Sequence, residues 1–119
     1  MVWHLVLLKA RAGLSSEARQ ALVSAFEKAV GEIPTVRDVR VGRRISHGAG
    51  YEAAAPDIAD FMVSIAFDDL QGLQAYLNHP AHHELGRLFA QSVSSAPVYD
   101  FVVDGVEGLR LWEFEHSRI

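Results

Sequence analysis

The residues best able to do chemistry lie in one stretch, Tyr76-Leu77-Asn78-His79-Pro80-Ala81-His82-His83, which sets an aromatic hydroxyl and three imidazoles across a helix break. Leu70, Leu73, Tyr76 and Leu77 are spaced so that Tyr76 falls on the apolar face of a short helix. Asn78 and His79 end that helix, because the residue before a proline is pushed out of the α region. Pro80 suits the first position of a second helix, where its missing N–H costs nothing, so His82 falls in the first turn on the face of Leu85 and Phe89. There an imidazole meets the positive end of the helix dipole, which opposes protonation and keeps the ring neutral and basic near pH 7. The plainer reading of the same pattern is that Tyr76 and His82 fill a core edge with their polar atoms hydrogen-bonded.

The elements that position these groups follow from periodicity. Val2-Trp3-His4-Leu5-Val6-Leu7-Leu8 is apolar at odd and even positions alike, which predicts a strand covered on both faces. Leu14-Ser15-Ser16-Glu17 offers a serine N-cap, and Leu22, Ala25, Phe26, Ala29 and Val30 mark an amphipathic helix that stops at Gly31. After the Ile33-Pro34-Thr35 turn, residues 36–45 alternate apolar with charged, a strand with one wet face in which Gly42 marks a candidate bulge. Residues 46–56 are rich in Gly and Ala, hold His47 and Tyr51, and read as a loop able to act as a lid or as ordinary surface. Residues 61–67 form a third strand, Asp68 or Asp69 caps the next helix, and residues 97–104 close the sheet. The resulting order, β-α-β-β-α-α-β, predicts an α+β ferredoxin-like antiparallel sheet with helices on one face. Its other face is left apolar, and a second copy of the sheet is the economical cover, so a homodimer is expected.

Composition narrows the function further. The 119 residues suit one domain, and 50% hydrophobic with 22% charged residues is an ordinary globular balance. A net charge of -4 and a pI near 5.8, with scattered Lys and Arg, give no footprint for nucleic acid. The absence of cysteine removes disulfides and thiol nucleophiles and fits a reducing cytoplasm. The apolar run at residues 2–8 is too short to span a membrane, so a cytoplasmic protein without membrane contact is expected.

Met1-Val2-Trp3-His4-Leu5-Val6-Leu7-Leu8-Lys9, Ile33-Pro34 followed by Val36 and Val41-Gly42, residues 60–67, Tyr76-x-x-His79-Pro80-Ala81-His82 and Tyr99-Asp100 together resemble the stress-responsive dimeric α/β-barrel (Dabb) family over about residues 1–104. The resemblance implies a ferredoxin-like unit paired into a barrel across a two-fold axis. In a plant polyketide cyclase of that family the matching tyrosine and final histidine are the catalytic pair, which implies catalytic roles for Tyr76 and His82 and a pocket position for His4. A third-strand histidine of that cyclase corresponds to Phe61, and His4, His79 and Phe61 are the expected substrate contacts. Some relatives hold magnesium through backbone carbonyls, which would be those of Val30, Ile33 and Val36.

Three readings follow. As an enzyme, the chain would use His82 as general base beside a carbonyl while Tyr76 hydrogen-bonds the developing enolate and His4 orients the substrate, with a small, mostly apolar aromatic or polyketide-like ligand and cyclase or lyase chemistry. As a binding or stress-protective dimer, it would hold such a ligand without turnover. As a metal protein, it would draw on His79, His82 and His83 with His4 or His47, although adjacent His82 and His83 point apart on a helix. Residues 105–119 lie beyond the resemblance. Leu109, Leu111, Trp112 and Phe114 concentrate large apolar groups there, which predicts a strand or arm packed on the domain or on the partner subunit, anchored by Trp112.

Overall fold

In the computed structural model, which describes residues 1–116 and side chains through residue 113, the core of the chain is an antiparallel sheet with its three main helices on one face. Strand β1 (Val2–Ala10) runs through the middle, and β3 (Phe61–Phe67) pairs along one side of it, with β2 (Asp38–Arg43) outside β3. Along its other side β1 meets β5 (Val98–Val102) near its start and β4 (Val93–Ser95) near its end. Pro97 separates those two pieces, and the register of β1 shifts between Lys9 and Ala10 to accommodate them. β1 is central in the sheet, and apart from His4 and Lys9 it is apolar on both of its faces.

Alternation along the strands sorts the residues onto two faces. His4 lies opposite Ile65 and Asp100, and Val2 lies opposite Phe67, so these side chains share the helix-covered face. Against it pack Ala29 and Ile33 from α1 (Ser16–Glu32), Leu73 and Tyr76 from α2 (Leu70–Asn78), and Ala81 and Leu85 from α3 (Pro80–Ser92). Trp3, Leu5 and Leu7 face the opposite way with Met62, Tyr99 and Phe101, and the last two are about half exposed.

Local chemistry sets the helix ends. Ser15 accepts from the Ala18 N–H at 3.1 Å to start α1, and Asp69 accepts from the Gly72 N–H at 2.8 Å to start α2. The break between α2 and α3 falls at His79-Pro80, with Pro80 opening α3. Gly42 sits in regular register opposite Met62, so the candidate bulge is absent there. A Cβ at Gly42 would come within 3.0 Å of the Met62 side chain, so close approach rather than a bulge explains the glycine. The loop at residues 46–56 contains a short 3-10 turn, Gly50–Ala54, and Lys9 and Arg44 both reach Asp57 just beyond it.

The C-terminal segment, expected as a strand or arm, is helical. After β5 the chain makes a 3-10 turn, Val106–Leu109, and then α4 (Arg110–His116). Leu109, Leu111 and Trp112 are 69%, 57% and 68% exposed on the single chain. A helix forms because Leu111, Trp112 and Glu113 carry no breaker, whereas a further strand would need an edge to extend. The expected packing of Phe114 lies outside the described residues.

Candidate functional site

The last turn of α2 carries Tyr76 into the interior, where it is 2% exposed. Its ring meets Phe67 of β3 at 5.3 Å between centroids, His4 of β1 at 5.9 Å and His82 of α3 at 4.7 Å. Both histidines present their rings to it at steep angles of 62° and 61°, the edge-to-face geometry favoured by an aromatic quadrupole. Sheet register and the proline-set helix break thus bring together residues 4, 76 and 82. His4, Tyr76 and His82, predicted from sequence, therefore form one cluster.

The electrostatics of the pair are set by burial. The Tyr76 hydroxyl is pushed up to about 12 because its charged form would be desolvated, so at neutral pH it is a hydrogen-bond donor and not a phenolate. His82 is held below the usual imidazole value, first by burial and then by the His4 and His83 charges, while the Leu77 backbone pulls the other way. Desolvation thus acts in the same direction as the helix dipole anticipated from sequence. The Nδ1 atom of His82 is buried and has no hydrogen-bond partner, an unusual state for a native polar atom.

Asp100 is the residue that sequence reasoning did not assign. It stands opposite His4 on β5, and the His4 Nδ1–H donates to its Oδ1 at 2.7 Å. That bond orients the imidazole. The signal was the cross-strand register of β1 with β5, which becomes readable only once the pairing is known.

Two expected contacts stand elsewhere. His79 caps α3, its Nδ1 accepting from the Ala81 N–H at 3.0 Å, so its ring is committed to holding the helix break. Phe61 shares the helix-side face but lies opposite Leu8, four residues along β3 from the Ile65 that faces His4, which is roughly 13 Å at strand spacing. It is 42% exposed at the sheet's far end. His47 is in the distant loop, where its Nε2 is 2.9 Å from the Tyr51 hydroxyl. Among the described residues no three His, Cys, Asp or Glu side chains converge as a metal cluster. The backbone turn proposed for magnesium closes on itself, with the Val36 N–H donating to the Ile33 carbonyl at 3.3 Å. It offers carbonyl oxygens without the carboxylate that usually holds this ion, so the fit is poor and no chemical step runs through it.

The surface hollows among the described residues include one of about 470 Å3 lined by Arg44, Ser46, Glu52, Asp57 and Asp60 and another of about 750 Å3 between β5 and the C-terminal segment. Asp100 is among the residues that line the second.

Known proteins share this architecture. The chain is 34% identical over 84 residues to an uncharacterized protein of Streptomyces coelicolor, covering 69% of this chain and 79% of that one. It is 22% identical over 100 residues to olivetolic acid cyclase of Cannabis sativa, covering 84% and 94% of the two chains. Among solved structures, a hydroxynitrile lyase from Passiflora edulis superposes with a TM-score of 0.75 at 12% identity over 88% of this chain and 94% of that one. A dimeric ferredoxin-like protein of unknown function from Thermobifida fusca superposes with a TM-score of 0.67 at 20% identity, over 86% and 90%. The profile of the stress responsive A/B barrel domain, Dabb, matches residues 2–103, and the chain belongs to that family.

Proposed function

We propose that this Dabb protein is a homodimer whose His4–Tyr76–His82 cluster receives a small, mostly apolar carbonyl compound, aromatic or polyketide-like, and moves a proton on it. The observation that carries the reading is the buried, unpartnered Nδ1 of a His82 kept neutral beside a protonated Tyr76. His82 takes a proton from the carbon next to the carbonyl, Tyr76 donates a hydrogen bond to the oxygen as it becomes an enolate, the enolate carbon adds to a second carbonyl of the same compound, and the imidazolium gives its proton to the alkoxide so formed. Asp100 holds His4 in the orientation that presents Nε2. Likeness to a cyclase and to a hydroxynitrile lyase supports this reaction class. The dimeric state of the Thermobifida neighbour and the apolar face of Trp3, Leu5, Leu7 and Phe101 support the homodimer.

A non-catalytic dimer that only holds such a ligand is the second reading, favoured by one observation: the position of the cyclase's third-strand histidine is the apolar Phe61. Thermal-shift screening of aromatic and polyketide-like carbonyl compounds identifies the ligand, since one at 100 times its Kd stabilises by about 2.7 kcal/mol. Turnover assays on His82→Ala and Tyr76→Phe then separate the readings. Loss of turnover in both with ligand still bound supports the enzyme, whereas binding with no turnover in the unmodified protein leaves the second reading. A monomer by light scattering at micromolar concentration would refute the dimer.

A further inference from the structure

Tyr76 and His82 meet because the chain breaks between them. On one unbroken α-helix, residues six apart stand about 9 Å apart along the axis and about 120° apart around it, so their rings would lie on different faces. Here the ring centroids are 4.7 Å apart. His79 is at once the C-cap of α2 and the N-cap of α3, with φ -74° and ψ 141°. The ring of Pro80 keeps His79 out of the α region but leaves its ψ a range of roughly 40°. A change of about 20° within that range would swing a ring roughly 5 Å from the bond axis by about 2 Å. Proline thus decides that the chain breaks, and another contact has to decide at what angle.

His79 carries the bonds that span the break. Its N–H donates to the Tyr76 carbonyl at 3.2 Å, and its own carbonyl accepts from the His82 N–H at 3.0 Å and the His83 N–H at 3.1 Å. Its Nδ1 accepts from the Ala81 N–H at 3.0 Å, which ties the side chain to the first turn of α3. Any residue could supply the backbone bonds, whereas the bond to Ala81 needs a side chain with an acceptor at this reach. We propose that His79 is a positioning residue whose Nδ1 bond to Ala81 fixes the angle between α2 and α3 at which Tyr76 and His82 meet. The proposal rests on the reading of Tyr76 and His82 as the reacting pair and adds to it the group that sets their geometry. Such a group matters to rate, since a misplacement of about 1 Å can cost about 100-fold.

Two substitutions at one position separate the bond from the rest of the ring. His79→Ala deletes the acceptor, and His79→Asn replaces it, because Asn Oδ1 lies as many bonds from the backbone as Nδ1 and asparagine is a strong N-cap. Neither variant has an imidazole, so a difference between them reports the bond and not the ring's charge or bulk. Ser15→Ala removes the cap at the start of α1 and controls for general loosening. The readouts are the proton NOE between the Tyr76 and His82 rings and the His82 titration midpoint, which burial holds below the usual 6.5. In His79→Ala the NOE is expected to fall at least twofold and the midpoint to move up toward 6.5, while His79→Asn and Ser15→Ala keep both as in the native chain. Should His79→Ala fail to fold, His79→Gln, whose acceptor lies one bond further out, is expected to show the same two changes. An unchanged NOE and midpoint overturn the proposal and leave the angle to Pro80 and to the burial of Ala81 and Leu85. Changes as large in His79→Asn or in Ser15→Ala overturn it as well. Both readouts are taken without substrate, so a chain that shows no turnover leaves a positive result standing, and a negative result leaves the proposed reaction untouched.

Discussion

Removing one buried hydroxyl should change how this protein responds to alkali. Tyr76 titrates near 10 in the unfolded chain and near 12 in the fold, because burial disfavours its phenolate. A folded-state value raised in this way contributes stability that is fully present below pH 10 and is lost as pH rises toward 12, since the native state there holds the proton that the unfolded state has released. Two units correspond to about 2.7 kcal/mol at the far end of that window, and about half of it, ~1.4 kcal/mol, is lost by pH 11. Tyr76→Phe keeps the ring against Phe67 and His82 and deletes the titration. Tyr51 and Tyr99, 70% and 54% exposed, behave alike in both proteins. Urea unfolding followed by circular dichroism at pH 8 and pH 11, at one protein concentration, gives the stability of each. The native chain's advantage over the variant is expected to shrink by ~1.4 kcal/mol between those pH values. A difference that does not change with pH would refute the argument that burial of the Tyr76 hydroxyl controls its ionisation.

Three further outcomes follow from the same contacts. His82 should titrate below the usual 6.5 in an NMR pH series, and His4→Ala should raise its value by removing a neighbouring charge; an unshifted His82 would mean that the two rings do not sense each other. Because that depressed value lets the unfolded chain bind more protons just below pH 6.5, the fold should lose stability as pH falls through this range, and His82→Gln should lessen the loss. Asp69→Ala should cost about 1 kcal/mol in urea unfolding by freeing the Gly72 N–H at the start of α2, and an unchanged midpoint would show the cap to be idle. Asp100→Asn should leave the melting temperature nearly intact, since the side chain is 44% exposed, yet alter the His4 tautomer in nitrogen-proton correlation spectra.

What the amino-acid sequence determined by itself was local. Apolar runs delimited β1 and β3, Ser15 and the Asp68-Asp69 pair announced helix starts, and His79-Pro80 marked the break that turns His82 toward Tyr76. These signals act over three or four residues, through caps, proline sterics and side-chain period, and so survive without knowledge of the fold. Membership of the ordered motif set then carried His4 into the same cluster. Tertiary structure alone decided the rest. The His4 to Asp100 bond joins residues 96 apart in the chain, and only the register of β1 with β5 sets them opposite each other. Whether His79 faces a ligand or caps a helix depends on a ring rotation that the local pattern leaves open, and the fold resolves it toward Ala81. Phe61 lies on the predicted face, but its distance from His4 is a matter of strand pairing. The C-terminal segment shows the limit most plainly: hydrophobic composition demands a cover for Leu109 and Leu111 without saying whether strand or helix presents them, because that choice depends on which edges the rest of the sheet leaves free.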